Sequence, residues 1–212
     1  PWPGIGLLLG ALHQSTKAKT ALAFTQNSGV MALGKVLLPQ AEWKLGDPVQ
    51  SLTDSSTELD VVASILPMNM HSRQPLKLTL PSGEVTELTD DVGNQLMVAS
   101  AMRLSPSGIA LFVVSPSVFF SQRSVFRRLK DFGIGIEAAF SLPSGTFAPV
   151  TTIPAYLVVV RRKIISRIFV AQLSADTNTN LQVISNFRQG ADGGSLELGR
   201  FVAADTFRSI EH

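Results

Sequence analysis

The chain has 212 residues, of which 45% are apolar and 16% charged, and its formal net charge is +2. This composition excludes a disordered chain and favours one folded domain with a sizeable core. There is no cysteine, which excludes disulfides and thiolate metal sites and suits a reducing cytoplasm.

Neither a metal nor a membrane is expected as a partner. The three histidines, His13, His71 and His212, are far apart in the sequence, which gives a metal cluster little support. No apolar segment reaches the roughly 18 residues that a membrane span requires.

Helical and strand patterns alternate from the beginning of the chain. GIGLLLGALHQ is apolar enough for a buried helix, and KTALAFTQ predicts a strand. NSGVMALGKVLL predicts a helix capped by Asn27 or Ser28, because a side-chain oxygen at that position can accept a first-turn N–H.

The next segments predict two strands and an insertion. AEWKLGD predicts a short strand, and the polar residues 48–57 are expected to form a loop. A buried strand is predicted over Leu59–Ser64. Residues 69–91 are expected to form an inserted loop or hairpin, since LKLTLPSGEVTEL alternates around a Pro-Ser-Gly turn.

A helix over 91–104 follows, with acidic residues at its positive end and a stop before SPSG. Then come the strand GIALFVVSP, the basic helix QRSVFRRLKDF and the strand IEAAFSLP.

The last third of the chain predicts two strands, AYLVVVRRK and SRIFVAQLS, and a helix TNTNLQVISNFRQG that stops at Gly190. The tail from Ala191 is expected to be irregular. Strands that alternate with helices imply an α/β fold with a mostly parallel sheet and helices on both of its faces.

Positive charge is concentrated between residues 121 and 170. Only Asp131 and Glu137 oppose it there. The basic residues are Arg123, Arg127, Arg128, Lys130, Arg161, Arg162, Lys163 and Arg167. Such a stretch suits a phosphate backbone, although a solvated helix face and strand end would look the same.

Generic motifs identify no reaction. The sequence has no phosphate-binding loop and no zinc or calcium pattern. Gly4 and Gly6 precede a helix as in a turn that cradles a ligand, and a simple helix entry explains them equally well.

One segment carries a family resemblance. MRLSPSGIALFVVSPSVFFSQRSVFRRLKDFGIGIEAAFSLPSGTFAPVTTIPAYLVVVRRK, from Met102 to Lys163, resembles the carboxyl-terminal half of the catalytic domain of N6-adenine DNA methyltransferases. The likeness is strongest to modification subunits of type I restriction systems, with SLPSGTFAP as its most specific signature. A weaker, collinear likeness begins at Gly4.

The resemblance implies the Rossmann-like fold of methyltransferases that use S-adenosylmethionine as their cofactor. The first strand of that fold is expected to have no counterpart in this chain. It assigns 1–165 to the methyltransferase-like domain and 166–212 to an extension with one helix. DNA is the expected substrate class, and a partner subunit or a target-recognition domain is an expected partner.

The resemblance also implies cofactor-binding positions. Gly4 and Gly6 match the glycine loop of the S-adenosylmethionine site, and Asp47 matches the acid beside the adenine. Gln26 or its neighbour Asn27 stands where the family has the acid that binds the ribose, and an amide bonds a hydroxyl more weakly than a carboxylate does.

The catalytic tetrapeptide is degenerate. LDVVASILPM aligns with the strand that delivers Asn-Pro-Pro-Phe or Asn-Pro-Pro-Tyr, which in the family holds and stacks the flipped adenine. Here the four positions are Ile65, Leu66, Pro67 and Met68. Isoleucine accepts no hydrogen bond, and methionine replaces a stacking ring poorly.

Three functions remain open. The first is an active methyltransferase with a shifted constellation that uses Ser64 or Asn69. The second is a domain that has lost transfer and binds nucleic acid or a partner subunit through its basic stretches. The third is a purely structural domain. We favour the second, because two of the four tetrapeptide positions are chemically disabling.

Overall fold

A computed structural model of the protein describes residues 10, 11, 14, 18, 20–68, 70–72, 74–79, 82–89, 91–120, 125–148 and 152–205. The side chains of residues 120 and 126–128 also lie outside this description. The helix predicted at GIGLLLGALHQ falls mostly outside the described residues, of which Gly10, Ala11 and Gln14 are helical.

Helices and strands alternate over most of the described chain. The strands are β1 (Ala21–Thr25), β2 (Ala41–Leu45), β3 (Leu59–Ile65), β4 (Leu76–Thr79), β5 (Val85–Leu88), β6 (Leu104–Val114), β7 (Gly135–Ser141), β8 (Tyr156–Arg161), β9 (Arg167–Gln172) and β10 (Arg200–Ala203). The helices are α1 (Ser28–Leu37), α2 (Pro48–Asp54), α3 (Val92–Met102), α4 (Ser117–Phe120), α5 (Val125–Asp131) and α6 (Thr177–Gln189).

The chain divides into two compact units, residues 1–110 and 111–212. In the first unit β1 and β2 pair in parallel, with Ala21 opposite Ala41. The hairpin β4–β5 is antiparallel, and β3 neighbours the part of β6 that belongs to this unit. The division of the chain at residue 165 stays a prediction.

The second unit contains a mixed sheet. Its strand order is β10-β9-β7-β8, followed by the end of β6. β7 and β9 are parallel, whereas β8 runs antiparallel to β7 and β10 antiparallel to β9. The predicted α/β fold is confirmed, with β8 and β10 as antiparallel strands of a mixed sheet. The chain enters β8 without a crossover helix among the described residues that connect it to β7, as an antiparallel neighbour allows.

Local sequence signals explain most of the elements. Asn27 caps α1, and its side-chain oxygen accepts a hydrogen bond from the Val30 N–H at 3.0 Å. α1 packs on the β1–β2 pair through Gly34, where an added Cβ would lie 2.2 Å from the Trp43 ring. At the other end of the chain, Gly190 ends α6 with φ 66°, in the left-handed region that glycine favours.

Three sequence predictions are corrected. Residues 48–57 are not all loop, because Asp47 and Pro48 start the helix α2. The segment SPSG does not separate a helix from a strand but lies inside β6. The tail from Ala191 contains β10, which is ordered by its pairing with β9.

Every other predicted strand has a counterpart at the expected place. The predicted hairpin is present as β4 and β5, and the helix after it begins at Val92 with Asp91 as its cap. The predicted basic helix QRSVFRRLKDF is described from Val125 onward, as α5. The short helix α4 comes before it and was not predicted. Within the described residues, no helix is both long and apolar enough to span a membrane.

Candidate functional site

The carboxyl ends of β1 and β2 bring two predicted cofactor residues to one edge. The Gly46 N–H donates to the Thr25 carbonyl at 2.9 Å, which ties the two strand ends together. Gln26 follows β1 directly, Asp47 follows β2 after Gly46, and both side chains are exposed. Ligands of α/β folds bind outside the carboxyl ends of parallel strands, so the edge is suitably placed for a nucleoside.

Asp47 also has a structural role that the sequence reading missed. One of its carboxylate oxygens accepts hydrogen bonds from the Val49 N–H at 2.8 Å and the Gln50 N–H at 3.3 Å, as the cap of α2. Its part in cofactor binding stays a prediction. Gly4 and Gly6 lie outside the described residues.

The end of β3 shows which side chains a ligand could meet. Ser64 and Leu66 are buried, at 0% and 4% exposure, whereas Ile65 between them is 41% exposed. Pro67 and Met68 are half-buried, and Asn69 lies outside the described residues. The position where the resemblance expects an amide therefore presents an aliphatic side chain to solvent.

The residues after β3 pack against the first turn of α3. An added Cβ at Gly93 would lie 2.7 Å from the Pro67 carbonyl oxygen and 3.5 Å from Leu66 Cβ. The Val92 N–H donates to the Met70 carbonyl at 2.8 Å. Only glycine at position 93 permits α3 to lie this close to the Pro67 carbonyl. The course of the backbone just after β3 therefore depends on its packing against α3.

The inserted hairpin is fastened to the same helix. The buried Gln95 side chain donates to the Gln74 carbonyl at 2.9 Å and to the Leu88 carbonyl at 3.0 Å. Its oxygen lies 2.9 Å from Ser72 Oγ, within hydrogen-bonding distance. Sequence reasoning predicted the hairpin but not this contact, because it joins residues 21 positions apart.

Asn94 is a second amide that the sequence reading missed. It is 3% exposed, and its Oδ1 is a buried acceptor without a partner among the described residues. Such an acceptor costs about 1–3 kcal/mol of stability. Since α3 is buried from Gly93 to Ala101, a substrate could contact this amide only if the helix moved.

The residues predicted to bind nucleic acid differ in their exposure and in the charged groups that they contact. Arg123 lies outside the described residues, and so do the side chains of Arg127 and Arg128. Lys130 and Arg162 are exposed.

Two of the predicted cations share one carboxylate. Arg161 Nε lies 2.9 Å from Glu137 Oε2, and Lys163 Nζ lies 2.8 Å from Glu137 Oε1. Partial burial acts to raise the pKa of Glu137, but the hydrogen bonds and charges of Lys163 and Arg161 together hold that pKa below its ordinary value of 4.5. The single negative charge of Glu137 therefore offsets one of these two positive charges, which the count of basic residues did not reveal. No group of three or more potential metal-ligating side chains occurs in the part of the chain that the structure describes.

No protein-family model matches the sequence, and no curated protein matches it. Solved structures do match. A modification subunit assigned to a type I restriction enzyme from Vibrio vulnificus has a TM-score of 0.73 at 15% identity, over 97% of this chain and 50% of that one. The type I restriction-modification methyltransferase subunit from Streptococcus thermophilus has a TM-score of 0.69 at 14% identity, over 90% and 47%. A protein from Listeria monocytogenes assigned to the class I S-adenosylmethionine-dependent methyltransferases has a TM-score of 0.66 at 16% identity, over 88% and 62%.

These likenesses define the fold. The chain has the fold of class I S-adenosylmethionine-dependent methyltransferases. Within that class its fold is that of the type I modification subunits, and it spans about half the length of those proteins.

The cap role of Asp47 predicts a difference between two substitutions. Asp47→Ala should lower the free energy of unfolding by about 1 kcal/mol, because α2 loses its cap. Asp47→Asn should leave it within a few tenths of a kcal/mol, since asparagine caps equally well. Urea denaturation followed by circular dichroism measures both, and equal losses would argue against the cap.

The lowered pKa of Glu137 predicts a loss of stability in acid. A carboxylate with a lowered pKa in the folded state stabilises the fold above its unfolded pKa, and this contribution disappears as the pH falls through the folded value. The stability of the protein should therefore decline below about pH 4.5, and Glu137→Gln should flatten that decline. Denaturant midpoints between pH 3 and pH 7 test this, and an unchanged slope in the variant would contradict it.

Proposed function

We propose that this chain is a methyltransferase-fold domain of the adenine-methylase type that does not transfer methyl groups and that acts by binding nucleic acid. The exposed Ile65 carries the first half of the proposal. In the family that the sequence resembles, the amide at this position holds the amino group that becomes methylated. An aliphatic side chain can neither accept that hydrogen bond nor stabilise the charge that develops on the nitrogen.

A shifted constellation has little support at Ser64. Its side chain is fully buried and its Oγ lies 3.5 Å from the Ile65 carbonyl oxygen. A substrate amino group would have to displace part of the core to reach it.

Binding of S-adenosylmethionine is a separate question from transfer. The cofactor supplies a methyl group on a sulfonium, and Gln26 and Asp47 are the described residues placed to hold its ribose and adenine. Exposed polar groups beside two parallel strand ends fit a nucleoside. A domain with this edge could keep the cofactor as a bound ligand after losing transfer.

Nucleic acid is favoured by the basic stretch around α5. This helix carries Arg127, Arg128 and Lys130 against the single acid Asp131. Phosphate binding requires cations and little else, so it survives changes that abolish base recognition.

A partner subunit is the second candidate, and α1 favours it. Leu33, Val36 and Leu37 are 46%, 77% and 49% exposed. A helix that is apolar on its outer face as well as its inner face is usually covered by another element. Size-exclusion chromatography with light scattering, for the chain alone and with candidate subunits, tests this candidate.

Methyl transfer should be absent. The chain incubated with duplex DNA and radiolabelled S-adenosylmethionine should leave no more label on the DNA than a blank does. Restoring the tetrapeptide by Ile65→Asn, Leu66→Pro and Met68→Phe together should yield detectable transfer if the cofactor edge is intact, whereas the matched control Ile65→Leu should not. Transfer by the unaltered chain would refute the proposal.

Binding to duplex DNA should be present and should depend on salt. Fluorescence anisotropy between 50 and 200 mM salt should show affinity falling linearly on a double-logarithmic plot. Arg127→Glu with Arg128→Glu should weaken binding at least tenfold, while Lys35→Glu with Lys44→Glu makes the same charge change in the first unit and serves as the control. No binding at 50 mM salt would overturn the nucleic-acid role.

A further inference from the structure

The direction of β8 places several cations at an unexpected edge of the second unit. β8 is antiparallel to β7, with Arg161 opposite Gly135 at the beginning of β7. Arg162 and Lys163 continue from that point. They therefore lie at the amino-terminal edge of β7, not at the edge where β7 ends with Ser141.

Two further elements meet the same edge. β9 is parallel to β7, so its first residue, Arg167, lies level with the beginning of β7. α5 ends at Asp131, four residues before Gly135, which brings Lys130 to this end as well. We call this surface the basic edge, defined by Lys130, Arg161, Arg162, Lys163 and Arg167.

The charge of the basic edge is uneven. Glu137 contacts both Arg161 and Lys163, and its one negative charge offsets one of their two positive charges. Arg162 and Arg167 are exposed, and the guanidinium carbon of Arg167 lies 4.6 Å from the centre of the Phe201 ring. The ring holds the guanidinium in place, and the carboxylate of Asp192, which interacts with Arg167 electrostatically, offsets part of its charge. An arginine that is positioned and charged suits a phosphate oxygen.

We propose that the basic edge is the surface by which the protein binds the phosphate backbone of duplex nucleic acid, with Glu137 limiting its affinity. The proposal rests on the nucleic-acid role proposed above and locates it. The basic edge lies one strand length, about 20 Å, from the opposite edge of this sheet, where ligands of α/β folds normally bind. Binding here contacts phosphates only and is independent of base sequence.

Two sets of variants test the location, each measured by anisotropy with a fluorescent 20-base-pair duplex and with a second duplex of scrambled sequence. Arg162→Glu with Arg167→Glu should flatten the double-logarithmic salt dependence by about one unit per cation. Lys35→Glu with Lys44→Glu, on α1 and β2, is the control for charge alone.

Glu137→Gln is the opposite test, because it releases Arg161 and Lys163. It should raise affinity in 50 mM salt and steepen the salt dependence by about one to two units. Each variant is first checked for an unchanged circular dichroism spectrum, and Glu137→Asp serves where Glu137→Gln does not fold, with a smaller gain expected from its shorter reach.

The outcomes separate the two proposals. Duplex binding that is unaffected by the arginine variants and not raised by Glu137→Gln refutes the basic edge and leaves the nucleic-acid role in place. Absence of duplex binding in every variant refutes that role. Binding of an acidic polypeptide such as polyglutamate, with no binding of the duplex, would assign the edge to a protein partner and would also refute the proposal.

Discussion

The two-residue alternation of side chains along β3 is the constraint on which the candidate site depends. Successive side chains of a strand point to opposite faces. Ser64 and Leu66, which follow the strand pattern of the buried Val62, face the core, so Ile65 is the side chain that the strand end presents outward. A single residue therefore decides the chemistry of this position. The sheet readily accepts isoleucine at this position, since a β-branched residue suits a strand better than an asparagine does.

The backbone around that position shows a different kind of constraint. Gly93 approaches the Pro67 carbonyl too closely for any side chain, and Gln95 fastens the hairpin to the same helix. These contacts fix the course of the chain after β3 whether or not the strand end reacts. The path of a backbone and the chemistry of its side chains are therefore separate properties, and the fold alone does not determine the function.

The sequence predicted elements whose signals are local. Asn27 as a cap, the alternation of the hairpin and Gly190 as a helix stop are each read from a few consecutive residues. Asp47 shows the limit of that reading, because the same carboxylate suits a cofactor and a helix cap. β10 could not be predicted, since Arg200–Ala203 has no strand pattern strong enough without the pairing to β9.

The positive charge of the surface is the property that the local sequence predicted least well. Glu137 lies 24 and 26 positions before the two cations that share its carboxylate, so the number of basic residues along the chain overstates the positive charge of the surface. The antiparallel course of β8 then determines where the remaining charge lies. The length of β7, about 20 Å, exceeds the Debye length of about 8 Å at physiological ionic strength. Salt therefore screens most of the interaction between solvent-exposed charges at the two ends of β7, so a charge substitution at one edge has little electrostatic effect on exposed groups at the other.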